Sequence, residues 1–214
     1  MKLQLPSVTL CATFTVKHAA TRRAFDLTSE RVSFRNRIVI TDDASGFDLS
    51  DHDTVITIPR FTNYEDVCVW YMCDAPALLL PLMGTHILGI HWDGFVVNPS
   101  AWKDENLSYD MIGGPAPWLG NERRINGNTG FVLQSHKFLE TVRDFNFPRD
   151  TRDCHPSDRI LCVDRRAEME SRGVRFAPND LAYQFSREDE PPYQGSFGFH
   201  GRKMVMDLVE RGIF

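Results

Sequence analysis

His86-Ile87-Leu88-Gly89-Ile90-His91 runs straight into Trp92-Asp93-Gly94-Phe95, and this join decides how the chain is read. An apolar run of strand length that stops on a carboxylate and a glycine is a buried strand entering a turn. Upstream, Tyr64 to Leu80 has helical spacing, with Pro76 as its break. Before it, Thr54 to Ile58 (TVITI) is a strand stopped by Pro59, and Arg37 to Thr41 (RIVIT) is a strand closed by Asp42-Asp43. His18 to Arg31 reads as a helix, and Ser7 to Phe14 (SVTLCATF) as a buried first strand. The order is strand, helix, strand, strand, helix, strand. Such alternation predicts an α/β domain with a mostly parallel, mixed sheet flanked by helices. Ligands of such sheets sit at the carboxyl ends of the strands. Attention therefore falls on Thr13 to Lys17, on Asp42 and Asp43, and on His91 to Gly94.

Downstream the pattern is less regular. Gly113 to Gly130 is rich in Gly, Pro and Asn and reads as one long loop, a kind that is usually functional. Phe131 to Gln134 is a short strand, and Ser135 to Phe145 and Pro156 to Arg172 are helical. Arg175 to Ala177 is a further short strand, and Arg202 to Arg211 is a last helix.

Composition sets outer bounds. The 214 residues fit one large domain, 1–214, with a core that needs no staples. Net charge is −5 and basic residues run no longer than pairs such as Arg165-Arg166, which disfavours a nucleic-acid partner. Five cysteines without a Cys-x-x-Cys pair predict reduced, mostly buried thiols rather than a disulfide framework or a structural zinc. Met1 to Pro6 lacks the apolar core of a signal peptide, and Ala75 to Leu82 is too short to span a bilayer. The expectation is a cytoplasmic protein.

Four short segments carry chemistry, and each has a plainer reading. Asp93 at a strand end could hold a divalent metal or a ribose hydroxyl, yet Asp-Gly is also a common turn pair. Asn126 to Phe131 (NGNTGF) offers glycines that let backbone approach a ligand, or is simply a turn. Asp158, in His155-Pro156-Ser157-Asp158, could serve as a general base, or could complement the positive end of a helix. His200, between glycines in Phe197 to Gly201, could ligate a metal or only hydrogen-bond its surroundings.

Taken together and in order, these segments resemble an uncharacterised domain family of GT-A glycosyltransferase character. Its members read roughly as WDGF, YIGAPW, GNGGF, HPED, GIRFAP and FGFHG. Here the matching segments are Trp92 to Phe95, Tyr109 to Pro115, Gly127 to Phe131, His155 to Asp158, Gly173 to Pro178 and Phe197 to Gly201. The opening Leu5 to Leu10 is also typical, so the resemblance spans Leu5 to Gly201. This chain departs from the pattern at Thr129, at Ser157, and in the shifted Pro115-Ala116-Pro117-Trp118.

The resemblance implies a Rossmann-like GT-A domain in two halves, about 5–125 for the nucleotide sugar and about 126–214 for acceptor and catalysis. It implies a nucleotide-sugar donor, UDP-linked, with Thr13, Thr15, Asp42, Asp43, Trp92 and Asp93 on the donor side. Asp93 and His200 would hold a divalent cation, Mn²⁺ or Mg²⁺, against the diphosphate. Asp158 would take the proton of the acceptor hydroxyl, with Trp118, Gly127, Asn128, Thr129 and Gly130 on the acceptor side. If no metal is used, Arg123 or Arg202 would neutralise the phosphate. The acceptor is left open among a glycan, a small molecule, a protein side chain and a modified base in DNA. A non-catalytic nucleotide-sugar or glycan-binding module is the main alternative, because fold does not fix function. A nucleotidyltransferase ranks below it, since Thr13 to Lys17 has no phosphate-loop glycine.

Overall fold

The structure is a computed structural model, described for residues 1–116, 125–150, 156–188, 195–212 and 214. Its centre is a six-stranded sheet. In chain order the strands are β1 (Leu3–Thr13), β2 (Val32–Thr41), β3 (Thr54–Thr57), β4 (His86–Ile90), β5 (Met111–Gly113) and, after the ribbon strands β6 (Pro115–Ala116) and β7 (Ile125–Asn126), β8 (Phe131–Ser135). Their spatial order is β3-β2-β1-β4-β8-β5. The first four run parallel, and β8 is antiparallel to both neighbours. This is the mostly parallel mixed sheet that the alternating pattern predicts.

The two faces follow from the period of two along a strand. Cys11, Ile38, Ile40, Ile87 and Val132 point to one face, where they meet Trp70, Met72, Leu79 and Phe138. Leu10, Ala12, Val39, Leu88 and Leu133 point to the other, against Phe25 and Phe185. Helix α1 (His18–Arg31) buries Thr21, Ala24, Phe25 and Thr28, a stripe at i, i+3, i+4 and i+7. The first face is covered by α2 (Tyr64–Cys73), α3 (Ala75–Leu79) and α4 (His136–Asp144). Asn63 caps α2 by accepting from the amide of Asp66, and Ser135 caps α4 by accepting from Phe138.

Several readings need correction. Tyr64 to Leu80 is two helices that meet at Asp74, with Pro76 in the first turn of the second, where its missing N–H costs nothing. Pro156 to Arg172 is three pieces, namely α5 (Ser157–Arg159), a π-helical turn (Ile160–Asp164) and α6 (Arg166–Ser171). Gly113 to Gly130 is not one loop, since it ends β5 and contains the antiparallel pair β6 and β7. Asn126 is the reason. Its buried amide donates to the carbonyls of Met111 and Ala177 and accepts from Gly113, so a typical turn residue works here as a cross-link. Phe176 makes only a bridge to Met111, not a strand. Helix α7 (Asn179–Phe185) and strand β9 (Ser186–Glu188) follow without a clear signal in the sequence; β9 pairs in parallel with β10 (Gly198–His200), before the last helix α8 (Arg202–Glu210).

A third apolar cluster lies behind the ends of these loops. Phe95 and Phe199 meet edge to face at 4.8 Å, with Ala24, Leu27, Met204, Val205 and Leu208 around them. It seats α8 and the two motifs that carry Asp93 and His200 on α1. Cys11, Cys68 and Cys162 are buried thiols. Cys154 lies outside the described residues. Among those residues, no helix is long and apolar enough to cross a membrane.

Candidate functional site

Strand polarity brings the site together. The carboxyl end of β4 delivers His91, Trp92 and Asp93 to one edge of the sheet, beside Thr13 at the end of β1. Because β8 is antiparallel, its amino end lies at the same edge, with Ile90 opposite Phe131. The Asn128-Thr129-Gly130 loop therefore arrives next to His91. Asn128 shapes that loop by accepting from the amide of Gly130 at 2.8 Å. Gly127 stands just behind it, where its carbonyl accepts from the Cys162 thiol at 3.5 Å. That contact ties the glycine loop to the π-helical turn that follows Asp158. Single π turns inside helices are frequent at functional sites.

Two adjoining cavities result. One, of about 230 Å³, is lined by Tyr64, His91, Trp92, Asp93, Asn128, Thr129, Gly130, Asp158 and His200. Asp93, Asp158 and His200, far apart in sequence, thus share one cleft. The other, of about 270 Å³, is largely apolar and is lined by Thr13 to Val16, Thr21, Phe61 to Tyr64 and Val67. Tyr64, His91 and Trp92 line both, so the two are parts of one groove. Lys17 stands over the face of Trp92 with its ammonium 4.9 Å from the ring centre.

The other candidate residues are placed differently. Thr15 lines the apolar cavity, but its hydroxyl is occupied in accepting from the amide of Phe61. Asp42 pairs with His18 at 2.7 Å, and Asp43 caps the turn at Ser45; neither lines a cavity of this groove. Arg202 is exposed at the start of α8. Trp118 and Arg123 lie outside the described residues.

Three side chains are close enough to share a cation. One ligand atom each from His91, Asp93 and His200 lies within 4.8 Å of the others. His91 is the member that the sequence reading did not single out as a ligand, because it ends an apolar strand. Burial and the neighbouring His200 push its pKa down to about 4, so it is a neutral imidazole ready to donate a lone pair. Asp93 stays ionised: burial opposes this, but the hydrogen bond and charge of His200 outweigh it and hold the carboxyl below its usual range. Burial also opposes charge on His200, yet Asp93 and Glu188 together push its pKa up to about 10. Without a cation, then, Asp93 is answered by an imidazolium, whose Nε2 lies 3.4 Å from Asp93 Oδ1. A bound cation would take the place of that proton. Two imidazoles and one carboxylate fit a first-row divalent ion and leave further coordination positions open.

Asp158 is buried at the start of α5, where its carboxylate accepts the amide of Arg159. The side chain still opens onto the cleft beside Tyr64. Tyr64, the first residue of α2, is half exposed and lies within electrostatic reach of both Asp93 and Asp158. It also escaped the sequence reading; its position just after the capping Asn63 was the one available signal.

No curated protein has a significantly similar sequence. Among solved structures, the fold matches a glycosyltransferase involved in the glycosylation of the major capsid of PBCV-1. That match covers 98% of this chain and 99% of the other, with a TM-score of 0.55 and 12% identity, and it concerns the fold. In sequence, residues 82–200, more than half of the chain and the span that holds Asp93, Asp158 and His200, match the protein family of unknown function DUF5672, and the chain belongs to that family.

Proposed function

We propose that the chain is a glycosyltransferase that moves a sugar from a nucleotide-sugar donor, UDP-linked, to an acceptor hydroxyl. One observation carries this reading. An apolar cavity beside Thr13 and Thr15 adjoins, across the shared Tyr64, His91 and Trp92, a second one lined by both the His91, Asp93, His200 cluster and Asp158. Together the cavities reach the size of an ordinary small-molecule site, about 300–1,000 Å³. The nucleoside would take the apolar part and the diphosphate would lie by the cluster.

His91, Asp93 and His200 would hold a divalent cation, which would supply positive charge for the departing diphosphate. Trp92 and Tyr64 would orient donor and sugar at the join of the cavities. Asp158 would accept the proton of the acceptor hydroxyl as that oxygen attacks the anomeric carbon. The Asn128-Thr129-Gly130 loop forms the acceptor side of the cleft. A glycan or a small molecule is the acceptor class we favour. The net charge of −5 speaks against DNA, since phosphate contacts need Lys and Arg.

The test is to incubate the chain with a panel of nucleotide sugars and Mn²⁺, following thermal shift and release of the nucleoside diphosphate. Binding raises apparent stability by mass action. A donor that raises Tm and is turned over supports the enzyme. A donor that raises Tm and is never cleaved points to a binding module, and a panel with neither effect overturns the donor assignment.

A further inference from the structure

We infer that Glu188 is a positioning residue for the cation site: it accepts from Nδ1 of His200 and so aims Nε2 of that ring at the ion shared with His91 and Asp93. The inference rests on the metal reading above and adds a residue to it.

The register of the small sheet makes the contact possible. β9 and β10 run parallel with Glu188 opposite His200, so the two side chains leave neighbouring strands side by side. Nδ1 of His200 lies 2.8 Å from one carboxylate oxygen of Glu188 and 3.1 Å from the other. The Glu188 side chain is only 1% exposed. A carboxylate is costly to bury, and this one spends its charge on the imidazole.

The far edge of the ring needs a residue without a Cβ beside it. A Cβ on Gly130 would stand 2.0 Å from Nε2 of His200 and 2.1 Å from Cδ2. The ring is thus held between the glycine loop and β9. Its hydrogen bond to Glu188 fixes the tautomer that leaves Nε2 free for a cation once the proton there is displaced. Metal-ligating histidines commonly donate their other N–H to a carboxylate, and removing that partner typically costs 10–100-fold in metal affinity.

The experiment titrates Mn²⁺ into the full chain and follows loss of the free-ion signal by electron paramagnetic resonance. Wild type, Asp93→Asn, Glu188→Ala and Glu188→Gln are compared, with far-UV circular dichroism as the folding check. Expected is that Glu188→Ala weakens Mn²⁺ by about 10–100-fold. Glu188→Gln, whose amide oxygen can still accept from Nδ1, recovers most of that loss. Mn²⁺ affinity in Glu188→Ala equal to wild type, while Asp93→Asn loses the ion, overturns the positioning role and leaves the metal site standing. A Gln variant as weak as the Ala variant also overturns it. No Mn²⁺ bound by wild type overturns the metal reading and this inference with it. Should Glu188→Ala fail to fold, Glu188→Asp, one methylene shorter, gives the same comparison: lost affinity supports the inference and wild-type affinity overturns it.

Discussion

The amide of Gly201 donates to the carbonyl of Asp93 across 2.8 Å, so the turn that carries one candidate cation ligand is fastened to the residue that follows another. Gly201 makes this contact at φ 127° and ψ 141°, a backbone conformation open to glycine and strained for any residue with a Cβ.

Gly201→Ala is therefore expected to lose about 1–3 kcal/mol of stability through backbone strain. Because the strain falls between His200 and α8, Mn²⁺ affinity should fall as well. Urea unfolding and a Mn²⁺ titration check both effects. A variant with wild-type values in each would show that the backbone here relaxes freely.

Asp158→Asn keeps the shape of the cleft and removes the proposed proton acceptor. Turnover with a competent donor and acceptor should drop by about 10²–10⁴-fold, the usual worth of a positioned base. Nucleotide binding, read by calorimetry, should be nearly unchanged. Wild-type turnover in this variant would remove Asp158 from the mechanism.

Chelation with EDTA should stop transfer, and Mn²⁺ should restore it. With two imidazoles in the cluster, Mn²⁺ should restore activity at lower concentration than Mg²⁺, which favours oxygen ligands. His91→Ala should raise the Mn²⁺ concentration needed and narrow the gap between the two ions. Full activity after chelation would mean that basic side chains neutralise the diphosphate.

His86 gives a prediction on stability against pH. Burial pushes its pKa below 6.5, and its Nε2 is hydrogen-bonded to the carbonyl of Tyr109 at 3.0 Å. In the unfolded chain it takes up a proton below 6.5, whereas in the folded chain it resists protonation. Its contribution is thus fully present above that pH and is lost as pH falls toward the folded-state value. The slope is at most about 1.4 kcal/mol per pH unit for one proton. His86→Gln, which can still donate to Tyr109, should lose less stability than wild type between pH 7.5 and 5.5. Equal losses in urea unfolding would show that His86 titrates alike in both states.

Much of the fold was legible because local rules and tertiary packing agree. The stripe Thr21, Ala24, Phe25, Thr28 reads as one face of a helix, and α1 occupies the expected His18 to Arg31. Asp93, Asp158 and His200 were each visible as a polar residue at the end of an element or beside a glycine. His91 was not, because a histidine closing an apolar strand looks like core. Glu188 was not, because its partner lies across a parallel strand pair that neither segment announces alone.

By itself the sequence determined the alternating elements, the faces of the central strands and the glycine-flanked segments at their ends, since these depend on periodicity and backbone freedom within short windows. Only the tertiary structure decided that β8 runs antiparallel and brings Asn128 to Gly130 beside His91, and that β9 sets Glu188 against His200. Strand direction and register are chosen by long-range burial and pairing. No local pattern encodes which ligand atoms will meet.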